Sequence, residues 1–290
     1  MVDPTRLSDA SQKPSVLLLG LLVFGFCTHF STVAYLHLAT WNVRGISKEY
    51  AQHQAASDCD RYNLDLIALQ ETKVSQQSDT IIPGKHRLIL FNQKQSWHGG
   101  LGFIINRRFI PNVVSYQQIS DRVAYLDVCI PSKCQGTPPL KIRVVNCYSP
   151  TNVKSVQNPQ IADQFYCELQ EAVNIPARHE LFVMGDFNGR LGKRTNADFD
   201  HGLDSNLGRH GVGRRNENGE RLLAFMITNG LYAANTAFYH ASRHTNTFTG
   251  WIKDQRSKKS VPWFSQIDYI LCRSRSTPLL VNARSYAGAQ

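Results

Sequence analysis

The sequence contains no closely spaced pair of cysteines. Its seven cysteines lie far apart, and none of them forms a C-x-x-C pair. An odd number of dispersed cysteines predicts reduced, mostly buried thiols, which argues against a disulfide scaffold and against a zinc site built on cysteine. Because reduced thiols are typical of the cell interior, the cysteine pattern predicts an intracellular protein.

The sequence also lacks internal repeats, low-complexity tracts and an uninterrupted apolar run long enough to cross a membrane. The chain has 290 residues, of which 42% are hydrophobic, so it can bury a sizeable core. This composition excludes a disordered or fibrous protein. Near the N-terminus, an apolar segment begins at Val16 and ends at Cys27. A spanning helix needs about 20 apolar residues, more than this segment contains.

Two interpretations of residues 16–27 are open. Arg6 and Lys13 precede the segment, and its length suits the core of a signal peptide. The first interpretation is therefore a signal peptide or membrane anchor, with membrane contact from Val16 to Cys27 and a secreted or membrane-anchored location. The second is an apolar extension without a targeting role. In both, residues 1–34 are an N-terminal extension, and the domain covers residues 35–290.

Acidic side chains are fewer than basic ones. The chain has 32 Lys and Arg against 22 Asp and Glu, a formal net charge of +10, and residues 186–290 alone have 15 against 8. This balance predicts a polyanionic partner such as DNA or another nucleic acid. Membrane surfaces and phosphorylated substrates are the alternatives.

From residue 35 onward, apolar runs of strand length alternate with helical patterns and with turns rich in Gly, Pro and Asn. This alternation predicts a single α/β sandwich domain. Apolar spacing predicts one helix around residues 161–173 and another that ends at Gly230. Strands are predicted at residues 36–41, 64–69, 86–91, 101–105, 113–117, 123–130, 141–147, 181–185 and 267–272.

Polar residues recur where the predicted strands stop. Asn42 and Glu71 follow two of them, and Asp186 and Asn188 follow a third. Strand ends of a sandwich converge on one rim, so these side chains are expected to share a pocket. Carboxylate and amide oxygens suit a hard cation, and the sequence therefore predicts a Mg²⁺ site, with Mn²⁺ as the alternative ion.

Five segments, taken together, resemble the endonuclease/exonuclease/phosphatase family, also called the DNase I-like family. They are T-W-N-V-R-G at 40–45, A-L-Q-E-T-K at 68–73, N-C-Y-S-P at 146–150, G-D-F-N-G at 185–189 and Q-I-D-Y-I-L at 266–271. Within the family, G-R-H-G-V-G at 208–213 and N-E-N-G-E-R-L-L at 216–223 resemble endonuclease domains of non-LTR (LINE-type) retrotransposons and craniofacial development protein 2-like proteins. The resemblance implies a DNase I-like four-layer α/β sandwich with two mixed, mainly antiparallel sheets.

The resemblance also implies roles for individual residues. Asn42 and Glu71 match the metal site, with Glu71 as the direct carboxylate ligand. Four further positions match residues that contact the scissile phosphate, activate the water, orient that water and orient a histidine: Tyr148, Asp186, Asn188 and Asp268.

The end of the chain departs from the family pattern. Family members finish with Ser-Asp-His and a last apolar strand, whereas no histidine follows His244 in this sequence. We therefore expect a domain that is incomplete at the C-terminus, with its last strand missing and its turnover impaired. Loss of a group that stabilises developing charge typically costs about 10² to 10³ in rate.

Six residues are predicted to contact nucleic acid: Arg190, Lys193, Arg194, Arg214, Arg215 and Thr247. The leading functional hypothesis is a Mg²⁺-dependent phosphodiesterase of the retrotransposon endonuclease type, which nicks DNA and therefore acts in the nucleus. A phosphatase of the same fold and an inactive nucleic-acid-binding remnant are the alternatives.

Overall fold

Two sheets stacked face to face form the centre of the molecule. The computed structural model describes residues 18–29, 32–92, 99–132, 136–253 and 259–286. Within these ranges, twelve strands form two six-stranded sheets, and two more form a separate hairpin. Most neighbouring strands are antiparallel, while one pair in each sheet is parallel. The predicted pair of mixed, mainly antiparallel sheets is confirmed.

Each sheet has a strand order that differs from the chain order. The first sheet runs, in spatial order, β1 (Leu18–His29), β2 (Thr32–Asn42), β3 (Leu66–Gln70), β6 (Leu101–Ile105), β5 (His86–Leu90) and β4 (Ser78–Ile82). The second runs β11 (Leu231–Ala233), β14 (Asp268–Arg273), β10 (Glu180–Asp186), β9 (Leu140–Tyr148), β8 (Val123–Ile130) and β7 (Val113–Ser120). The hairpin pairs β12 (Phe248–Lys253) with β13 (Ser260–Ser265).

The described ranges contain five α-helices: α1 (Glu49–Arg61), α2 (Asn152–Gln157), α3 (Pro159–Val173), α4 (Asn196–Asp200) and α5 (Glu217–Asn229). Three of them, α1, α3 and α5, cover the outer faces of the sheets. One apolar cluster lies between the sheets, a second joins α3 and α5 to the second sheet, and a third joins α1 to the first sheet. This arrangement gives the four layers that the resemblance implies.

The predicted helix that ends at Gly230 is α5, and its two ends have clear local causes. The side chain of Asn216 accepts a hydrogen bond from the backbone N–H of Gly219 and so caps the first turn. Gly230 adopts a left-handed conformation with φ of 58°, which glycine tolerates and which closes the last turn. Of the predicted strands, residues 101–105 and 123–130 match β6 and β8 residue for residue.

The structure describes the N-terminal apolar segment, residues 16–27, from Leu18 onward. Its residues form β1, which pairs antiparallel with β2 at the edge of the first sheet. The described part of the chain contains no helix long and apolar enough to cross a membrane. The predicted domain start at residue 35 falls inside β2, so β1 shares a sheet with the strand that carries Asn42. The division into residues 1–34 and 35–290 stays a prediction.

Candidate active site

The predicted site residues come together at one rim of the sandwich. In the parallel pair β2–β3, Asn42 lies opposite Gln70, the residue before Glu71. In the second sheet, Asp186 lies opposite Tyr148 on β9 and opposite Asp268 on β14. Because parallel strands end at the same edge of a sheet, the register itself places these side chains side by side. We call the cluster of Asn42, Glu71, Tyr148, Asp186 and Asp268 the rim site.

The side-chain amide of Asn42 joins the two sheets. Its Nδ2 donates to Oε1 of Glu71 at 2.8 Å and to Oδ2 of Asp186 at 3.1 Å. The hydroxyl of Tyr148 donates to the same Glu71 oxygen at 3.0 Å. The carboxylate predicted to bind metal and the carboxylate predicted to act on water are thus held by a single amide.

Glu71 reaches this position through a break in strand geometry. Leu69 packs on the α1 side of the sheet, and Gln70 faces the second sheet. Strict alternation would therefore direct Glu71 back towards α1. Instead, Glu71 has a φ of 54°. The N–H of Thr72 bonds to the carbonyl of Gly100, which is a shift of one residue from the register of β3 and β6. This bulge aims the carboxylate at the rim site.

Left-handed backbone is concentrated around the rim site. Among the described residues, six that are not glycine have a positive φ, and four of them follow strand ends at the rim: Arg44, Glu71, Lys73 and Asn188. Such a conformation costs about 1–2 kcal/mol for an ordinary residue, so it persists only where the surrounding structure enforces it.

Two buried carboxyl groups face each other in the second sheet. Asp186 is 5% exposed and Asp268 is 6% exposed. Burial raises the pKa of Asp186 to about 6, although the backbone N–H of Asn188 and the amide of Asn42 both stabilise its charged form. Burial, and next the charge of Asp186, raise the pKa of Asp268 well above its usual range. In its ionised form Asp186 can accept a proton or position a water molecule.

Asn188, in the loop after β10, is held by two hydrogen bonds, one from its backbone N–H and one from its side-chain amide. The backbone N–H donates to Oδ1 of Asp186 at 2.9 Å, and Nδ2 donates to the carbonyl of Ser149 at 2.9 Å. Asn218, from α5, donates to the carbonyls of Pro150 and Asn188 at 3.0 and 3.1 Å. Sequence reasoning did not assign Asn218 to the site, although it belongs to the N-E-N-G-E-R segment that carried the resemblance.

The Tyr148 hydroxyl keeps its proton, and the guanidinium of Arg122 lies over the Tyr148 ring. Burial, and next the charge of Glu71, raise the pKa of the Tyr148 phenol far above its usual range, so its hydroxyl remains a donor. Arg122 lies over the ring, with Cζ 5.4 Å from the centroid, and Nη1 donates to the Tyr148 carbonyl at 3.0 Å. Sequence reasoning missed Arg122, because it lies in the turn between β7 and β8 and belongs to no recognised segment.

The donor set of the rim site fits a hard divalent cation. It offers the carboxylates of Glu71 and Asp186, with the Glu71 side chain 18% exposed. Asn42 turns its Nδ2 towards both carboxylates, while its Oδ1 accepts from the backbone N–H of Arg44 at 3.3 Å. No group of three or more His, Cys, Asp or Glu in the described ranges is arranged to hold a metal ion. Mg²⁺ needs no such group, because it commonly binds through one or two carboxylates and keeps several waters.

Thr247 lies beside Asp268 and is itself buried, at 5% exposure. Its hydroxyl oxygen accepts from the backbone N–H groups of Ile267 and Asp268, at 3.0 and 3.2 Å. In this position Thr247 holds the start of β14 and so positions Asp268. Its contact with nucleic acid stays a prediction.

The five predicted basic contacts divide into two groups. Arg215 makes a two-point ion pair with Asp198, at 2.9 and 2.7 Å, and Arg194 pairs with Asp204; the two arginine side chains are only 14% and 13% exposed. Lys193 and Arg214 are exposed, and Arg190 is half-buried with its guanidinium over Trp263. The geometry leaves Lys193, Arg214 and Arg190 as the available cations, because the other two already neutralise carboxylates.

Solved structures share this fold of two stacked mixed sheets. An AP endonuclease, LMAP, from Leishmania major has a TM-score of 0.56 at 13% identity, over 87% of this chain and 83% of that one. An AP endonuclease from Archaeoglobus fulgidus has a TM-score of 0.53 at 13% identity, over 86% and 97%. At this identity the likeness establishes the fold.

Family membership follows from the sequence match. Residues 39–285 match the model of the Endonuclease/Exonuclease/phosphatase family, and the chain belongs to that family. Craniofacial development protein 2 from Tragulus javanicus and from Bos taurus are each 28% identical over 253 residues, or 87% of this chain. The match spans only 39% and 38% of the length of these relatives.

Proposed function

We propose that this chain is a Mg²⁺-dependent phosphodiesterase that nicks DNA, of the type found in retrotransposon endonucleases. The nucleus is then its place of action. The bridge from Asn42 to Glu71 and Asp186, with bonds of 2.8 and 3.1 Å, carries the proposal. This single amide sets a metal-type carboxylate from one sheet against a buried carboxyl group from the other. Hydrolysis of a phosphodiester needs both functions within the reach of one phosphate.

Each residue of the rim site has a place in the proposed reaction. Glu71 and Asn42 would hold the cation, which would neutralise charge and polarise a phosphate oxygen. Asp186 in its ionised form orients a water molecule and receives its proton, since burial raises its pKa towards neutral pH. The Tyr148 hydroxyl donates its one proton to Glu71 and so keeps that carboxylate in place; on substrate binding it would turn to a phosphate oxygen. Asp268, held by Thr247, lies opposite Asp186 on the neighbouring strand.

A plasmid-nicking assay tests the proposal. Supercoiled plasmid is incubated with the purified protein in Mg²⁺, in Mn²⁺ and in excess chelator, and the relaxed form is quantified. We expect nicking that needs the cation and that falls by about 10² to 10⁴ in Asp186→Asn, the usual loss for a general base. Glu71→Gln is expected to need more cation for the same rate.

Asp163→Asn is the matched control, because Asp163 is an exposed carboxylate on α3, in the outer layer. Its nicking rate should equal that of the unsubstituted protein. Plasmid left intact by folded protein in both cations would overturn the endonuclease proposal. Phosphate release from inositol phosphates by the same preparation would instead favour a phosphatase.

A further inference from the structure

A chain of buried amide and hydroxyl groups crosses the core directly beneath the rim site. Thr40 on β2, Gln70 on β3 and Asn146 on β9 each have 0% exposure. Thr40 Oγ1 donates to Gln70 Oε1 at 3.2 Å, and Gln70 Nε2 donates to Asn146 Oδ1 at 2.7 Å. The chain therefore joins two strands of the first sheet to one strand of the second. We call these three residues the amide bridge.

Both the nitrogen and the oxygen of the Asn146 side-chain amide are hydrogen-bonded. Besides accepting from Gln70, its Nδ2 donates to the carbonyls of Leu69 and Gly102, both at 2.9 Å. Leu69 and Gly102 lie opposite each other on β3 and β6. Asn146 thus clamps two neighbouring strands of the first sheet from the second sheet. The clamp lies at the last regular residue pairs before the Glu71 bulge.

Stability alone does not account for a polar group in this place. The neighbours of Asn146 on the same face of β9, Val144 and Tyr148, both belong to the apolar cluster between the sheets. Replacing a buried hydrogen-bonded pair by apolar groups of the same shape is often neutral for stability. What the hydrogen bonds add is a fixed relative position of the two sheets.

The face of β9 that carries Asn146 also carries a residue that contacts the Glu71 side chain. Tyr148, two residues after Asn146, donates to the Glu71 carboxylate at 3.0 Å. Through Asn146, β9 fixes the backbone at Leu69, just before the bulge. Through Tyr148, it fixes the carboxylate of Glu71. We propose that Asn146 is a positioning residue for the cation: by clamping Leu69 and Gly102 it sets the bulge that aims Glu71. The inference rests on the proposed function, since it assigns a cation to Glu71.

The test measures cation affinity directly, without a nicking step. Mn²⁺ binding to the purified, metal-free protein is followed by electron paramagnetic resonance or calorimetry, and folding by circular dichroism. In Asn146→Ala we expect Mn²⁺ to bind about 10- to 100-fold more weakly, as when groups that orient a metal ligand are removed. Asn146→Ser, which keeps one donor and one acceptor, should recover part of that affinity.

Asn206→Ala is the matched control. Asn206 is also a buried asparagine, 5% exposed, and its Nδ2 likewise donates to two carbonyls, those of Met226 and Leu231. It clamps α5 and β11 and has no contact with the rim site. Its loss should lower the melting temperature as Asn146→Ala does, while Mn²⁺ affinity stays unchanged.

The possible outcomes distinguish the positioning role of Asn146 from the endonuclease proposal. Equal Mn²⁺ affinity in the unsubstituted protein and in folded Asn146→Ala overturns the inference and leaves the proposed function intact. Intact plasmid with the expected loss of Mn²⁺ affinity overturns the endonuclease proposal and supports the positioning role. Absence of Mn²⁺ binding by the unsubstituted protein overturns both. If neither Asn146 variant folds, the amide bridge is needed for folding, and the positioning role is rejected.

Discussion

Asp186 and Asp268 lie directly opposite each other on the antiparallel strands β10 and β14, and both are buried. Two neighbouring carboxyl groups in a buried place cannot both be ionised without a cost in free energy, because little water screens their repulsion. Without a cation, the folded protein either carries that repulsion or holds a proton on one of the pair. The rim site is therefore a place where function opposes stability.

This opposition predicts that Asp268→Asn stabilises the metal-free protein. At pH 8 in excess chelator, an amide at position 268 removes either the repulsion between the two carboxylates or the cost of keeping a proton on one of them. The melting temperature should therefore rise by a few degrees, since about 1 kcal/mol corresponds to about 2–4 °C in a domain of this size. Mg²⁺ should raise the melting temperature of the unsubstituted protein, because a cation that binds only the folded state stabilises it. A lower melting temperature for metal-free Asp268→Asn would contradict this account.

A pH-dependent contribution to stability is expected from the ion pair of Asp198 with Arg215. The Arg215 guanidinium, as the first cause, lowers the pKa of Asp198 from 3.8 to about 2. A lowered pKa in the folded state stabilises the protein above pH 4, and that contribution is lost as the pH falls from about 4 to 2. With both side chains mostly buried, the bonds that Asp198 accepts from Arg215 and Thr195 together contribute about 2 kcal/mol at pH 7.

Urea unfolding of Asp198→Asn checks this value. The variant should lose about 2 kcal/mol at pH 7 and much less at pH 2.5, where the unsubstituted protein has itself lost most of this contribution. Asp204→Asn is the control, because the Asp204 side chain is 55% exposed in its pair with Arg194. Exposed pairs contribute about 0–1 kcal/mol. Equal losses for the two variants would show that burial does not set the strength of these pairs.

The ion pairs also explain where sequence reasoning stopped. Arg215 and Asp198 lie 17 residues apart, and no periodic pattern links them, so the sequence offered Arg215 as a free cation for nucleic acid. The order of strand-end residues, by contrast, depends on register and chain order, both of which the family segments encode. The sequence therefore predicted Asn42, Glu71, Tyr148, Asp186, Asn188 and Asp268 as neighbours, and they are.

Two further features could not be predicted, for different reasons. Helix α1 buries mainly small residues, among them Ala55, Ala56 and Cys59, and thus has no stripe of large apolar side chains to recognise. The bulge at Glu71 depends on the bond from Thr72 to Gly100, which directly precedes β6 and lies 28 residues later in the chain. Local sequence carries little information on a contact of that kind.

Nucleic-acid binding should depend on the exposed cations and not on the paired ones. Lys193→Ala and Arg214→Ala are each expected to reduce the slope of log affinity against log salt by about 1, the value for one lost phosphate contact. Fluorescence anisotropy with a labelled duplex, in chelator and at several salt concentrations, measures the slope. Lys141→Ala is the control, because Lys141 is exposed near the start of β9, at the opposite end from Tyr148. A slope equally reduced by Lys141→Ala would place the DNA elsewhere.

Gly185, the residue before Asp186, is expected to tolerate no side chain. A β-carbon there would lie 1.9 Å from the carbonyl oxygen of Cys147, which is opposite Gly185 on β9. Gly185→Ala must therefore push β10 away from β9, and we expect a loss of about 3 kcal/mol or more in the free energy of unfolding. Gly202→Ala is the control, since Gly202 also has a positive φ, 70°, but no atom within 4 Å of an added β-carbon. That variant should lose only about 1 kcal/mol from backbone strain. Urea unfolding of both variants measures the difference, and similar losses would mean that the two strands can separate without cost at the rim site.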